Sequence, residues 1–332
     1  MPETARRNRR KKCGVTQPPM YICLAYGSGI SPGPTPMPDF SEKTLLRDKG
    51  VTEMRDFNGK VVVVTGAASG IGREMALAFA ERGARLALAD IDGDGLEGVR
   101  RELEARGNAV YTQIVDVCMA AEVEDLCASI YREMGRVDIL CNNAGVAVGG
   151  WMEDVSIDDW KWQLGPNLWG VIYGCHYFYP RMIAQGGGGH IVNTASGAGL
   201  VPLPITVAYN TTKFAVVGFS ETLRAEAALH GIGVSAVCPG FVATNVVSNA
   251  RIVSRTQRSS PEELKQRFIR FFERRNYTPD KVAAAVVKGV ERNRSVIVMG
   301  PETRLGDLSM RLSRGLVIKV MEQAVRLMKR YV

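Results

Sequence analysis

The stretch VVVVTGAASGIG, residues 61–72, decides the fold of this chain. Four consecutive valines predict a strand buried on both faces, because a half-exposed strand alternates apolar and polar residues. Gly66, Gly70 and Gly72 follow, and a helical stretch runs from Arg73 to Glu81. Such a turn lets a phosphate group approach the backbone and the helix N-terminus. It predicts a nucleotide-binding βα unit. Its G-x3-G-x-G spacing is not the commoner G-x-G-x-x-G, and a plain tight turn is the alternative.

Apolar runs and helical stretches alternate from this unit to residue 300, which predicts parallel βαβ units. The predicted strands are Val61 to Thr65, Arg85 to Asp90, Ala109 to Val115, Val137 to Asn142, His190 to Ala195, Gly233 to Cys238 and Val296 to Met299. They predict an α/β fold: a single doubly wound, Rossmann-type parallel seven-stranded sheet with helices on both faces, in a domain over residues 54–300.

Asp90 ends the second predicted strand, 18 positions beyond Gly72. A carboxylate about 20 residues after the glycine turn hydrogen-bonds the adenine ribose 2′-hydroxyl and repels a 2′-phosphate. This predicts NAD(H) as the preferred cofactor. NADP(H) is the alternative, because Arg73 or Arg85 lies close enough in sequence to offset the charge, and Asp90 as a simple turn residue is a further reading.

Tyr209 and Lys213 stand four residues apart in a helical stretch from Tyr209 to Leu229, so their side chains share one face. A nearby ammonium group is expected to lower the pKa of a phenol and make it usable as an acid or base. Ser196 ends the strand that precedes this helix, where it can donate a hydrogen bond to a carbonyl oxygen. No Cys/His spacing indicates a metal site.

These motifs together resemble the short-chain dehydrogenase/reductase family, in its compact single-domain form. They are Thr65-Gly66-x3-Gly70-Ile71-Gly72, Asn142-Asn143-Ala144-Gly145, Asn167, Ser196, Tyr209-x3-Lys213 and Pro239-Gly240. The resemblance covers about residues 57 to 300. It implies hydride transfer between a nicotinamide and a carbonyl or secondary alcohol, and a homo-dimer or homo-tetramer.

The resemblance also implies residue roles. Tyr209 would be the acid or base, Ser196 would hold the substrate oxygen, and Lys213 would lower the tyrosine pKa and bind the nicotinamide ribose. Asn167 would hold a helix bend and a water molecule, although Pro166 before it departs from the family pattern. The implied cofactor-binding residues are Gly66, Ser69, Gly70, Ile71, Gly72, Asp90, Asp116, Val117, Asn143, Ala144, Gly145, Tyr209, Lys213, Pro239, Gly240 and Thr244.

The expected substrate site lies over Ser196 and Tyr209, with a lid at residues 245–277. Apolar residues in the flanking segments, such as Trp151 and Leu203, predict an apolar small-molecule substrate such as a lipid or steroid. Two other functions stay open. One is an NADPH-dependent biosynthetic ketoreductase; the other is a catalytically silent nucleotide-binding interaction module, which would have no need of the complete catalytic set.

The excess positive charge of the chain lies at its two ends. The net charge is +8, yet residues 54–300 carry 26 basic and 26 acidic residues. A neutral body argues against a nucleic-acid partner. The seven cysteines show no C-x-x-C spacing, which favours a reducing compartment and a cytoplasmic location. No apolar run is long enough to span a membrane.

Residues 1–53 form a basic and proline-rich extension that is expected to be disordered. A signal peptide is the functional alternative, and translation from Met37 or Met54 is another.

Residues 301–332 are expected to contain an amphipathic helix. Its apolar stripe is Leu316, Val317, Val320, Met321, Ala324, Val325 and Met328; its opposite face holds Lys319, Glu322, Arg326, Lys329 and Arg330. Peripheral contact with an anionic membrane is one interpretation. Packing across a subunit interface or over the substrate cleft is the more frequent arrangement.

Overall fold

The computed structural model describes residues 54–242, 246, 249–254, 262, 263, 265, 266, 270 and 277–331. The expected disordered extension at 1–53, Thr244 and most of the lid at 245–277 lie outside these residues.

Seven parallel strands form the central sheet: β1 Val61–Thr65, β2 Arg85–Asp90, β3 Val110–Ile114, β4 Ile139–Asn142, β6 Gly189–Thr194, β7 Ile232–Cys238 and β9 Val296–Val298. Their order across the sheet is β3-β2-β1-β4-β6-β7-β9. The order reverses between β1 and β4, as in a doubly wound sheet. The predicted fold class and all seven strands are confirmed, with ends that differ by two residues or fewer.

Helices cover both faces of this sheet. They are α1 Gly70–Ala80, α2 Gly93–Ala105, α3 Ala120–Met134, α4 Ile157–Leu164, α5 Gly170–Gln185, α6 Val207–Ala227, α7 Pro279–Glu291 and α8 Pro301–Tyr331. Val62 and Val64 of β1 belong to the core under α1, α2 and α7. Val61 and Val63 belong to the core under α3, α5 and α6. The four valines are all fully buried because alternate strand residues face opposite cores.

A second, two-stranded parallel sheet pairs β5 (Val148–Gly149) with β8 (Arg251–Ile252). The sequence did not predict this pair, because strands of two residues carry no periodicity. Gly150 continues the pairing as an isolated bridge to Thr206, the residue that precedes α6. The segments after β4, before α6 and around residue 251 therefore meet beside the carboxyl edge of the main sheet.

The last helix, α8, contacts the body at its start. Thr303 is buried, and the backbone at Gly306 lies close to Val201. The helical geometry breaks at Ser313, with φ −158° and ψ 90°. Within the described part of the chain, no helix combines the length and apolar character required to cross a membrane.

Candidate active site

The glycine turn packs against the loop that follows β4. Gly66 and Gly70 have φ values of 65° and 54°, which favour glycine. A Cβ on Gly72 would stand 2.0 Å from the Gly66 carbonyl oxygen, so only glycine lets α1 begin this close to the turn. Ser69 is the N-cap of α1, and Ile71 packs against the first core. The turn thus presents backbone and a helix N-terminus at the edge where the strand order reverses.

Asn143 holds the glycine turn in place. Its backbone N–H donates to Thr65 Oγ1 over 3.0 Å, and its Nδ2 donates to the Thr65 carbonyl oxygen over 3.1 Å. Its Oδ1 accepts from Thr194 Oγ1 over 3.2 Å, at the end of β6. Ala144 N–H also donates to Thr65 Oγ1. The structure therefore brings the carboxyl ends of β1, β4 and β6 together.

Asp90 lies at the end of β2 with its carboxylate at the glycine turn. Oδ2 accepts from the Ala68 N–H over 2.8 Å, and Oδ1 accepts from the Asp92 N–H over 3.0 Å. The bond from Ala68 connects Asp90 to the glycine turn. The bond from Asp92 is the local contact expected of a turn residue. Arg73 forms ion pairs with Glu74 and Glu102. Its guanidinium is thereby occupied by carboxylates.

Asp116 and Val117 follow β3 on the same edge of the sheet. Asp116 is half-buried, and its Oδ1 accepts from the Cys118 N–H over 2.9 Å. Val117 is buried against Gly170. Ile91, directly after Asp90, has an exposed apolar side chain. Sequence reasoning missed Ile91, and its position beside Asp90 makes it a candidate contact for a nucleotide base.

Ser196, Tyr209 and Lys213 converge at the carboxyl edge of β6. The Ser196 hydroxyl accepts from the Ala198 N–H over 3.1 Å and hydrogen-bonds the Tyr209 side chain. Lys213 Nζ lies 5.7 Å from the Tyr209 ring centroid and donates to the Thr194 carbonyl oxygen over 2.8 Å. One turn of α6 separates Tyr209 and Lys213, as the sequence predicts.

Burial determines the charge states of these groups. It raises the pKa of Tyr209, against a smaller lowering by the Ser196 hydrogen bond. It lowers the pKa of Lys213 to about 8. The direction of the tyrosine pKa shift is opposite to the sequence-based expectation, because loss of hydration on burial disfavours the phenolate.

Asn167 lies in a π-helical turn, Gly165–Trp169, between α4 and α5. Its Oδ1 accepts from the Val146 N–H over 2.7 Å, and its Nδ2 donates to the Val146 carbonyl oxygen over 3.0 Å. Pro166 has no N–H to donate, and a π turn is one way in which a helix absorbs that loss. A Cβ on Gly145 would stand 3.1 Å from Asn167 Oδ1 and 3.7 Å from Lys213 Nζ. Gly145, Asn167 and Lys213 are therefore neighbours.

Pro239 and Gly240 follow β7 next to the Ser196 loop. The Pro239 carbonyl oxygen accepts from the Gly197 N–H over 2.7 Å. A Cβ on Gly240 would stand 2.5 Å from Glu302 Oε1 and 2.8 Å from Thr303 Oγ1, and Thr303 also contacts the Cβ position of Gly197. The first turn of α8 therefore supports the catalytic edge, a role without a motif that sequence reasoning could find.

Asn210 is a further residue that the motif search missed. It follows Tyr209, is buried, and its Nδ2 donates to the carbonyl oxygens of Ala198 and Val201 over 3.0 and 2.9 Å. Its Oδ1 accepts from Thr206 Oγ1 over 2.6 Å. Asn210 thus fixes the loop after Ser196 to the helix that carries Tyr209.

Two contacts stabilise the segments that surround Ser196 and Tyr209. Ile205 has a φ of 57°, a strained conformation for a β-branched residue, and its carbonyl oxygen accepts from the Gly150 N–H over 2.8 Å. The guanidinium of Arg251 lies 3.9 Å from the centre of the Trp162 ring. These contacts join the segment before Tyr209 to β5 and fix β8 against α4.

Catalysis by His190 or by a bound metal ion has little support among the described residues. His190 is buried in β6 with its Nε2 2.8 Å from Ser235 Oγ, and burial lowers its pKa to about 3. It therefore has a structural role. Among the described residues, no group of three or more His, Cys, Asp or Glu side chains is arranged to hold a metal ion.

Comparison with known proteins assigns the chain to a family. The model of the short chain dehydrogenase family matches residues 60–253. The probable oxidoreductase EphD of Mycobacterium tuberculosis is 38% identical over 261 residues, which are 78% of this chain and 44% of EphD. This chain thus spans less than half the length of EphD.

Two relatives match over nearly their whole length. The putative oxidoreductase SadH of Mycobacterium tuberculosis is 38% identical over 263 residues, covering 78% of this chain and 92% of SadH. The crystal structure of a short-chain dehydrogenase/reductase from Burkholderia phymatum in complex with NAD has a TM-score of 0.72 and 35% identity, and covers 78% of this chain and 96% of that chain. Because this family model matches residues 60–253, more than half of its length, the chain belongs to the short-chain dehydrogenase family.

Proposed function

We propose that this chain interconverts a secondary alcohol and a ketone with NAD(H) as the preferred cofactor, on an apolar small molecule. The observation that carries the proposal is the convergence of Ser196, Tyr209 and Lys213 beside the glycine turn. A bound nicotinamide would accept or supply the hydride. The glycine turn suits its phosphates, because the turn offers close backbone and the N-terminus of α1.

The chain's own residues handle the proton. The Ser196 hydroxyl would donate a hydrogen bond to the substrate oxygen. During reduction the Tyr209 hydroxyl would give its proton to the carbonyl oxygen, and during oxidation the Tyr209 phenolate would take the proton of the alcohol. The Lys213 ammonium favours that phenolate whenever it is charged.

Charge near β2 supports NAD(H) over NADP(H). The Asp90 carboxylate would repel a 2′-phosphate, and Arg73 is paired with Glu74 and Glu102 instead of being available to that phosphate. An NADPH-dependent reductase is the alternative, although Arg85 begins β2 and so lies about 16 Å along the strand from Asp90.

Thermal unfolding with NADH and, separately, NADPH at matched concentrations tests the cofactor preference. A ligand at about 100 times its Kd stabilises by about 2.7 kcal/mol, a shift of a few degrees. We expect the larger shift with NADH, and Asp90→Asn should narrow the difference while keeping one acceptor for the Ala68 N–H. Asp94→Asn removes the same charge in the first turn of α2 and is the control. A larger shift with NADPH would favour the reductase.

The apolar substrate is supported by the segments that flank the catalytic groups. Val201 and Val242 are buried there, Trp151 and Leu203 are half-buried, and Met152 is exposed. A panel of secondary alcohols of increasing chain length tests this point with wild-type protein and Tyr209→Phe. We expect kcat/KM to rise with chain length and Tyr209→Phe to be inactive on every member. Higher kcat/KM on short polar alcohols would contradict the apolar class alone.

We further propose that the chain forms a homo-dimer or homo-tetramer and that it resides in the cytoplasm. Trp169 is 48% exposed and stacks on Tyr173, with 5.6 Å between ring centroids, and exposed aromatic pairs are frequent at subunit contacts. The five cysteines that the structure describes are free thiols, in keeping with a reducing compartment. Light scattering would give the oligomeric state; a monomeric mass would contradict it.

A further inference from the structure

The second half of α8, after Ser313, carries a set of apolar side chains of which several are exposed. Leu316 is 62% exposed, and Val320 and Leu327 are each 55% exposed. We call the following residues the C-terminal apolar face: Leu316, Val317, Ile318, Val320, Met321, Ala324, Val325 and Leu327. An amphipathic helix of a globular protein normally buries such a face. Here Val317, Met321, Ala324 and Val325 are half-buried, and the other four members are exposed.

The C-terminal apolar face is broad. At 100° per residue its eight members span an arc of about 200°, roughly twice the width of the stripe that a core-facing helix needs. The remaining sector holds Lys319, Glu322, Gln323 and Arg326, and Arg314 in the first turn is the exception to this separation. A two-helix seam with a second copy would use only a narrower stripe.

The charge of this segment favours an anionic membrane over a second copy of the chain as the partner of the C-terminal apolar face. Residues 301–332 carry seven basic and three acidic side chains, whereas residues 54–300 are balanced. Pairing two copies through this helix would bring two strongly basic segments side by side. An anionic lipid surface instead attracts basic residues while its acyl chains accept the apolar face.

We propose that the second half of α8 lies flat on membranes that contain anionic lipids, with the C-terminal apolar face among the acyl chains and Lys319 and Arg326 at the phosphates. The other end of this helix supports the catalytic edge, since Thr303 lies against Gly197 next to Ser196. Docking therefore places the membrane contact and the catalytic edge on one helix. Only the link between docking and an apolar substrate rests on the proposed function.

Sedimentation of the full chain with vesicles tests the proposal. One set contains phosphatidylcholine alone, and the other includes about 30% phosphatidylserine. We expect binding to the phosphatidylserine vesicles that weakens as sodium chloride rises from about 0.1 to 0.5 M. The double variant Leu316→Glu/Val320→Glu should lower the fraction bound about tenfold, because it places two carboxylates on the apolar face. The matched control is Ile157→Glu/Leu229→Glu, which makes the same change at exposed apolar residues elsewhere.

Two outcomes would overturn the proposal: no vesicle binding by the wild type, or equal loss of binding in both double variants. If the wild type does not bind vesicles and Leu316→Glu/Val320→Glu has a lower mass than wild type by light scattering, the face belongs to a second copy. Activity on a water-soluble alcohol should be the same in Leu316→Glu/Val320→Glu and in wild type. Loss of activity in every form would count against the proposed function and leave the vesicle result intact.

Discussion

Burial sets the pH range in which the Lys213 side chain is charged. The side chain is buried, its ammonium donates to the Thr194 carbonyl oxygen, and its pKa falls to about 8. Because the charged form of a buried lysine is disfavoured, the ammonium is present below pH 8 and lost above it. Burial raises the pKa of Tyr209, so the phenol keeps its proton while Lys213 titrates.

The pH dependence of ketone reduction should therefore report Lys213. We expect kcat/KM, which reflects the ionisation of the free enzyme, to be flat below about pH 7 and to fall above about pH 8. In Lys213→Arg the fall should move to higher pH, because guanidinium stays protonated. Lys161→Arg, at an exposed site, should leave the profile unchanged. An inflection near pH 8 that persists in Lys213→Arg would assign it to another group.

Asn210 is expected to position the catalytic loop without touching the cofactor. Asn210→Ala leaves the carbonyl oxygens of Ala198 and Val201 without this donor and should lower the free energy of unfolding by about 1–3 kcal/mol. It should also lower kcat while the affinity for NADH stays within about twofold. Thr211→Ala, at the exposed neighbour, is the control. Equal loss of NADH affinity and kcat would contradict a positioning role.

The contrast between these residues shows what a sequence can disclose at this scale. Ser196, Tyr209 and Lys213 could be predicted because a strand end and a four-residue helical spacing place them at one edge of the sheet, and because the family resemblance implies their roles. Asn210 could not, because its partners are backbone carbonyl oxygens, which every residue possesses. Motif and helix geometry also could not give the direction of the Tyr209 pKa shift, because that depends on how deeply the folded chain buries the phenol.

At the scale of elements, the glycine turn and the π turn differ in how far the sequence determines them. The turn between β1 and α1 follows from three glycines between a buried strand and a helix. Pro166 predicts a disturbance between α4 and α5, yet the disturbance is a π-helical turn that returns to α-helix at once. The sequence indicates the missing donor, whereas the packing of Asn167 against Val146 determines how the helix accommodates it.

Gly72→Ala should disable the nucleotide site by moving α1. The new Cβ would collide with the Gly66 carbonyl oxygen, so the helix must shift away from the turn. We expect at least about a tenfold loss of NADH affinity by titration. Gly98→Ala is the matched control, because nothing lies within 4 Å of its Cβ position in α2, and it should stabilise the protein by about 0.5–1 kcal/mol. Unchanged NADH affinity in Gly72→Ala would show that the turn tolerates the displacement.

At the scale of the whole molecule, periodicity predicted the sheet but not what covers the last helix. Apolar runs identify buried strands because a parallel sheet has a core on each face, as the alternating valines of β1 show. The stripe on α8 has the same periodicity as a helix packed on a core. The exposure of Leu316, Val320 and Leu327 is what shows that this helix is not packed on a core. Exposure depends on the folded chain and cannot be read from periodicity.

His190 should link the stability of the whole domain to pH. Its ring lies near the start of β6 against Gly233 and Ser235 of β7, and its pKa is lowered to about 3 because burial disfavours the imidazolium. The unfolded chain binds a proton below about pH 6.5 that the folded chain does not, so stability from this group is present above pH 6.5 and is lost as pH falls toward 3. Between about pH 7 and 5 the loss should approach 2 kcal/mol. Denaturant unfolding of His190→Gln should show a smaller decrease over this range than wild type, whatever its stability at pH 7. His176→Gln, at an exposed site on α5, should keep the wild-type decrease; equal decreases in all three proteins would mean that His190 does not control acid stability.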